Sequence, residues 1–461
     1  MRGDGRVRED DEGPRPPHRE RRAVPHDRGV PRRDRRQPPR RNGRLIGSRT
    51  HGTAGSADVP TSAGPLSGIR VLEAAQVISG PLCGVLLAEQ GADVVKIEQP
   101  GGDPTRVSGE QRGGMGAVFF NCNRGKRSIV VDLTEPEGVA VVHDLVRSAD
   151  VFIENFRPGK AERLGIDHRT LARINPHLVT VSITGVGPDG PDAERPMYDF
   201  VVQAMIGVAD LQRDLDTGRP RLVRTYLVDK STALTAAQAI TAALFARERD
   251  PERRGQHLDV SMLDAGLGFF WPDGMMSHTY LDRDDVDTVP NNLEFQEAYQ
   301  TLDGAVALLP IIPTFFPNLC RACRHPEWID DSRFIDYPTR RRHFRELVDA
   351  VAAAMATMTT AEAMARFQAE DVPAAAVRTR DEVHLDAQVV HRGSVVETVM
   401  EPVGTVRVPN HPTRFSGTPA RLGDGVPRVG QHTRQVLAEA GFDPDRVEGL
   451  VTRRIVRESA D

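Results

Sequence analysis

Asp229 raises the first chemical question. It precedes Lys230-Ser-Thr-Ala-Leu-Thr-Ala-Ala-Gln, a strong helix former, and a carboxylate there reads as an N-cap accepting from the open amides of the first turn. Gly185-Val-Gly187-Pro-Asp-Gly190 matches G-x-G-x-x-G after an apolar run, which is half of a dinucleotide fingerprint. The other half is missing. Pro188, Pro191 and Pro196 remove donors and block helix where a pyrophosphate would have to sit. Cys320-Arg-Ala-Cys323 has the spacing of half a zinc site or a redox pair, but no second ligand pair lies near it, so it reads as two buried helix cysteines. H-E-x-x-H, G-x-S-x-G and the P-loop are absent, which removes zincin, α/β-hydrolase and nucleotide triphosphatase readings.

The elements that must hold these residues begin at Ile69-Arg-Val-Leu. A helix over Leu82–Gln90 follows, entered through Gly80-Pro81 and ended by Gly91, and Asp93-Val-Val-Lys-Ile completes a βαβ unit. Ser128-Ile-Val-Val-Asp-Leu, a helix over Glu135–Ser148, Val151-Phe-Ile and Leu178-Val-Thr-Val-Ser-Ile continue the alternation. Strands alternating with helices of this length predict an α/β fold, a doubly wound parallel sheet covered on both faces. Helical stretches are expected over Tyr198–Leu211 and from Lys230 to about Arg247. A hairpin around Asp303-Gly304, two helices and the strand-like Val372-Pro-Ala-Ala-Ala-Val make a smaller α+β domain. Strands near Val396 and Val406 and a helix over Thr433–Ala440 complete the tail.

Composition bounds the function. With 461 residues the chain exceeds one ordinary core, and a net charge of -5 from nearly balanced acids and bases makes no electrostatic case for nucleic acid or an anionic membrane. No stretch approaches the roughly 20 apolar residues of a membrane span, no signal peptide is evident, and four scattered cysteines make no disulfide framework. A cytoplasmic protein with reduced thiols is the expectation. Residues 1–61 form an Arg/Pro-rich extension too poor in apolar side chains to fold alone, and read as disordered.

Several blocks, in order, resemble the class III CoA-transferases, the family of formyl-CoA transferase and carnitine/bile-acid CoA-transferase that also contains α-methylacyl-CoA racemase. They are Leu66-Ser-Gly-Ile-Arg-Val-Leu-Glu, Ser79-Gly-Pro, Leu87 through Arg106, Asn123-Arg-Gly-Lys-Arg-Ser-Ile, Glu154-Asn-Phe-Arg-Pro-Gly, Arg163-Leu-Gly, Asn175-Pro-His-Leu-Val and Gly255 through Asp264. The likeness runs from about Leu66 to the C-terminus. It implies a large Rossmann-like CoA-binding domain over 62–290, a small domain over 291–380, a segment over 381–461 returning to the large domain, and an interlinked homodimer.

The family's catalytic aspartate heads the helix between a Tyr-Asp/Glu segment and the Gly-Gln block, which here implies Asp229 after Tyr198-Asp199. Its carboxylate would attack an acyl-CoA, form an acyl-aspartyl anhydride, and pass through an aspartyl-CoA thioester to a carboxylic acid acceptor. The resemblance implies CoA contacts at Val77, Ile78, Ser79, Asn155, Phe156, Arg163, Met197, Tyr198 and Met262, with no metal and no permanently bound cofactor. Ile78 stands where the oxalate-using enzyme has glutamine, which argues against oxalate. That enzyme's glycine-rich loop has no counterpart between about residues 270 and 298. The alternatives are a racemase and a catalytically silent CoA-binding member. The related racemases carry histidine at the place of Tyr198, and a phenol is a poorer base than imidazole at neutral pH.

Overall fold

A computed structural model describes residues 64–282 and 298–459, with 286, 293 and 296 between them. The Arg/Pro-rich extension, and much of the stretch expected to replace the glycine-rich loop, lie outside these residues. Six runs hydrogen-bond as parallel strands: β1 (Arg70–Glu73), β2 (Asp93–Glu98), β3 (Arg127–Val131), β4 (Val151–Glu154), β5 (Val179–Thr184) and β6 (His257–Ser261). The C-terminal β7 (Val456–Arg457) pairs antiparallel with β3, so the order is β7-β3-β2-β1-β4-β5-β6. Five of the six parallel strands coincide with apolar runs expected to be strands. β6 does not, because His257 and Asp259 interrupt its apolar pattern.

Seven helices cover the sheet or shape the site: α1 (Ser79–Glu89), α2 (Pro136–Val146), α3 (Asp199–Met205), α4 (Leu227–Arg249), α5 (Met262–Gly274), α6 (Thr433–Glu439) and α7 (Pro444–Thr452). Alternate strand residues feed two cores. Leu72, Val95, Ile129 and Phe152 pack with Val142 and Leu145 of α2, Val436 of α6 and Leu450 of α7. Val71, Val94, Val151 and Val179 pack with Leu87 of α1 and with Ala233, Ala236, Ile240 and Ala243 of α4. Burial on both faces is why these strands are apolar throughout rather than alternating.

Close approach of α1 to the sheet requires glycine. A Cβ at Gly80 would collide with the Ala75 side chain, and one at Gly84 with the Glu73 carboxylate. Elsewhere, Tyr299–Gln300, Ala305–Leu308 and Ala374–Ala376 form an antiparallel three-stranded sheet, turned at Asp303-Gly304. Its core contains Phe316, Cys320, Cys323, Leu347 and Phe367. Burial pushes both of those thiols up to about 12. Val395–Met400 and Gly404–Pro409 form a separate ribbon.

Two helical expectations change. The stretch over Tyr198–Leu211 divides at Gly207, whose φ of 86 only glycine adopts without strain. The helix expected from Lys230 begins at Leu227, so Asp229 is its third residue and Tyr226 is the N-cap. Asp229 is therefore not the cap. That task falls to a carboxylate thirty positions earlier in the sequence, Asp199.

Candidate active site

The chain runs outward from β1 through β2 to β3 and then returns to β4 beside β1. Loops leaving neighbouring strands in opposite directions open a crevice at their carboxyl ends, where ligands of open α/β sheets bind. The crevice is closed at its floor by one reciprocal contact. Gln76 N–H donates to Asn155 Oδ1 at 2.8 Å, and Asn155 Nδ2 donates to the Gln76 carbonyl at 2.7 Å. Next to Gln76, Val77 has a φ of 71, a conformation that costs a β-branched residue about 1–3 kcal/mol. Such strain persists only where surrounding contacts over-determine it, as the Gln76–Asn155 pair does here.

Above this floor lies a cavity of about 400 Å³. Val77 and Ser79 reach it from the turn after β1, and Asn155, Phe156 and Arg163 from the segment after β4. Met197 and Tyr198 enter before α3, Met262 from the first turn of α5, and Asp229 from the first turn of α4. One expected residue departs from this set. Ile78 is buried at the entrance to α1 and does not line the cavity. Its side chain is buried, while its neighbours Val77 and Ser79 line the cavity.

Arg157, Lys160, Arg195, Gln76 and Thr184 also line the cavity, and the sequence reading missed them. Arg157 stands inside the Glu154-Asn-Phe-Arg-Pro-Gly block and was legible there. Arg195 carries no such signal. Lys160 lies over the Phe156 ring at 4.5 Å, so the wall presents several cations beside a half-buried aromatic face, a setting suited to a phosphate-bearing ligand with an apolar portion.

Among the described residues, Asp229 is the one carboxylate lining the cavity, at 8% exposure. The Ser79 hydroxyl and backbone N–H lie close enough to its carboxylate to favour the charged form. Burial first, and the nearby Asp199 charge second, push its pKa up to about 6 against the pull of Ser79. Only the ionised form can attack a carbonyl, so activity depending on Asp229 should fall as pH drops through about 6. A pH profile of kcat/KM checks this. An acid limb near the ordinary aspartate value of about 3.9 would contradict the burial argument.

With the geometry in hand, comparison with known proteins defines the class. Residues 66–433 match the model of CoA-transferase family III, and the chain belongs to that family. It is 35% identical over 392 residues to the succinate–glutarate CoA-transferase of Agrobacterium fabrum, covering 83% of this chain and 97% of that one. It is 31% identical over 429 residues to the succinyl-CoA:glutarate CoA-transferase of Mus musculus, covering 91% and 97%. A crystal structure of the hypothetical protein Rv3272 from Mycobacterium tuberculosis superposes with a TM-score of 0.71 at 30% identity, covering 81% of this chain and 99% of that one. The protein is a class III CoA-transferase, an enzyme acting between acyl-CoA thioesters and carboxylic acids.

Proposed function

We propose that this enzyme transfers CoA through covalent intermediates on Asp229. The supporting observation is a buried carboxylate of raised pKa, beside Ser79 in a cavity whose wall carries several cations. The Asp229 carboxylate attacks the donor thioester carbonyl, and the C–S bond breaks to give an acyl-aspartyl anhydride and CoA thiolate. The thiolate attacks the aspartyl carbonyl, releasing the donor acid as carboxylate and leaving aspartyl-CoA. An acceptor carboxylate then attacks aspartyl-CoA, breaking its C–S bond to give a second anhydride and CoA thiolate, and thiolate attack on the acceptor carbonyl yields the new acyl-CoA and restores the Asp229 carboxylate. Ser79 N–H and hydroxyl, the donors nearest the aspartyl carboxylate that favour its charged form, would stabilise the oxyanion when that carbonyl is attacked.

The names of the two enzymatic relatives favour a dicarboxylic acid of the succinate or glutarate class as acceptor. Oxalate is not our candidate, since Ile78 stands where the oxalate-using enzyme has glutamine and its buried side chain puts no donor into the cavity. The same reading retains CoA contacts at Val77, Ser79, Asn155, Phe156, Arg163, Met197, Tyr198 and Met262, with CoA esters as substrates and no resident cofactor. It also retains the domain division at 62–290, 291–380 and 381–461, a cytoplasmic setting and an interlinked homodimer. The outer face of α4 exposes Leu234 at 57% and Phe245 at 64%, apolar surface that a second copy could cover. Among the described residues, no helix is long and apolar enough to cross a membrane.

The test separates transferase from racemase. Succinyl-CoA with glutarate should give CoA exchange by mass spectrometry, and hydroxylamine added during turnover should modify Asp229. A 2-methylacyl-CoA in deuterated water should gain no α-deuterium, because Tyr198 is a poor base there. Rapid α-deuteration without capture at Asp229 would establish the racemase instead. CoA binding with no exchange for any pair of acids would establish the silent member.

A further inference from the structure

A 23-residue helix leaves open amides at its start. In α4 neither Tyr226 nor Asp229 satisfies them. Asp199 Oδ2 accepts from Val228 N–H at 2.7 Å and from Asp229 N–H at 2.9 Å, while Oδ1 accepts from Gln203 Nε2 at 2.5 Å. Gln203 is fully buried, and its amide also bonds the Val223 and Thr225 backbone just before α4. Asp199 is 1% exposed, and among the described residues it forms no ion pair. Three N–H donors and the positive end of the α4 dipole stabilise its charge in place of a cation.

We infer that Asp199 is a positioning residue of the transfer reaction: it caps α4 from outside and sets both the location and the electrostatic surroundings of the Asp229 carboxylate. The inference rests on Asp229 being the nucleophile. One bond goes to the backbone N–H of Asp229 itself, so the anchor is only a short side chain away from the attacking oxygens. By occupying the Val228 and Asp229 amides, Asp199 also leaves the Ser79 donors as the ones facing the reacting oxygens. Its charge opposes that of Asp229 across the same turn, which makes the nucleophile more basic and its charge less comfortable in the ground state.

Other groups around Asp229 do not supply this. Ser79 adjoins it from α1 and favours its charged form. Asp264 of α5 is tied to the Ser261 hydroxyl at 2.6 Å. His257 and Asp259 of β6 line a separate cavity with Glu154, and Arg157, Lys160, Arg163 and Arg195 stand elsewhere on the wall of the Asp229 cavity.

The test compares Asp199→Asn and Asp199→Glu with wild type, using kcat, KM, pH profiles and thermal melts. Asp199→Asn keeps an acceptor for the two amides but removes the charge. It should lower kcat by on the order of 10²-fold, leave KM for the CoA thioester nearly unchanged, and move the acid limb to lower pH. Asp199→Glu keeps the charge but displaces the carboxylate by a methylene, so the acid limb should stay while kcat falls. A folded Asp199→Asn enzyme with wild-type kcat and an unmoved acid limb overturns the inference. If that variant does not fold, wild-type kcat in Asp199→Glu overturns it instead. Hydroxylamine capture in the wild type keeps the two readings apart: without capture at Asp229, the nucleophile reading fails and this inference falls with it. Capture combined with unresponsive Asp199 variants sinks the Asp199 role alone.

Discussion

Asp229→Ala is expected to abolish CoA exchange, by on the order of 10⁴-fold or more, the scale of loss when a covalent nucleophile is removed, while the protein melts no lower than wild type. The second half follows from the site's electrostatics. The native carboxyl titrates near 6 rather than 3.8, so between those values the native state holds a proton that the unfolded chain has released. The stability this group contributes is present in full below 3.8 and is lost as pH rises through about 6. At neutral pH the ionised side chain therefore costs the fold on the order of 2–3 kcal/mol. Removing it relieves that cost, which is already net of the favourable pull of Ser79. Had Asp229 been the N-cap, its loss would lower stability by about 0.5–2 kcal/mol. Turnover surviving in Asp229→Ala, or a clear drop in its thermal midpoint, would return the residue to a structural role.

Glu73→Ala is expected to destabilise the protein by about 3–5 kcal/mol, a large part of the roughly 5–15 kcal/mol typical of a folded chain. Glu73 ends β1, completely buried, with Lys96 Nζ at 3.1 Å from one oxygen and Lys126 Nζ at 2.7 Å from the other. Lys96 also meets Asp103 at 3.0 Å, and Lys126 donates to the Pro81 and Cys122 carbonyls and Asn123 Oδ1. Burial, with the neighbouring Lys96 charge, already pushes the Lys126 ammonium down to about 8 even with Glu73 present. Without Glu73, Lys96 keeps Asp103 while the buried Lys126 ammonium loses its carboxylate partner. The Gln76–Val77 turn leaves β1 only three residues later, so CoA binding should weaken along with the fold. Urea unfolding measures the loss. Arg434→Ala serves as contrast, because its partners Glu448 and Glu458 are exposed and exposed pairs contribute about 0–1 kcal/mol. A loss below about 1 kcal/mol in Glu73→Ala would mean that the network relaxes or admits water.

The sequence by itself determined the parallel sheet, because strands buried on both faces must be apolar throughout, and runs such as Val151-Phe-Ile and Leu178-Val-Thr-Val-Ser-Ile cannot be mistaken for amphipathic helix. It singled out Asp229, though only through the order of the blocks around it, since a carboxylate at a helix start looks locally like any cap. Through the family resemblance it also named part of the cavity wall, including Val77, Ser79, Asn155 and Phe156. Tertiary structure alone decided the rest. Asp199 caps a helix thirty residues away, Glu73 binds two lysines from different elements, Arg195 reaches the cavity from a loop, and Ile78 turns inward between two neighbours that face the ligand space. The Asp199 and Glu73 cases depend on groups distant in sequence converging in a buried place where an unsatisfied charge or amide is costly. Periodicity and spacing describe the single segment, and convergence of this kind exists only once the segments have packed.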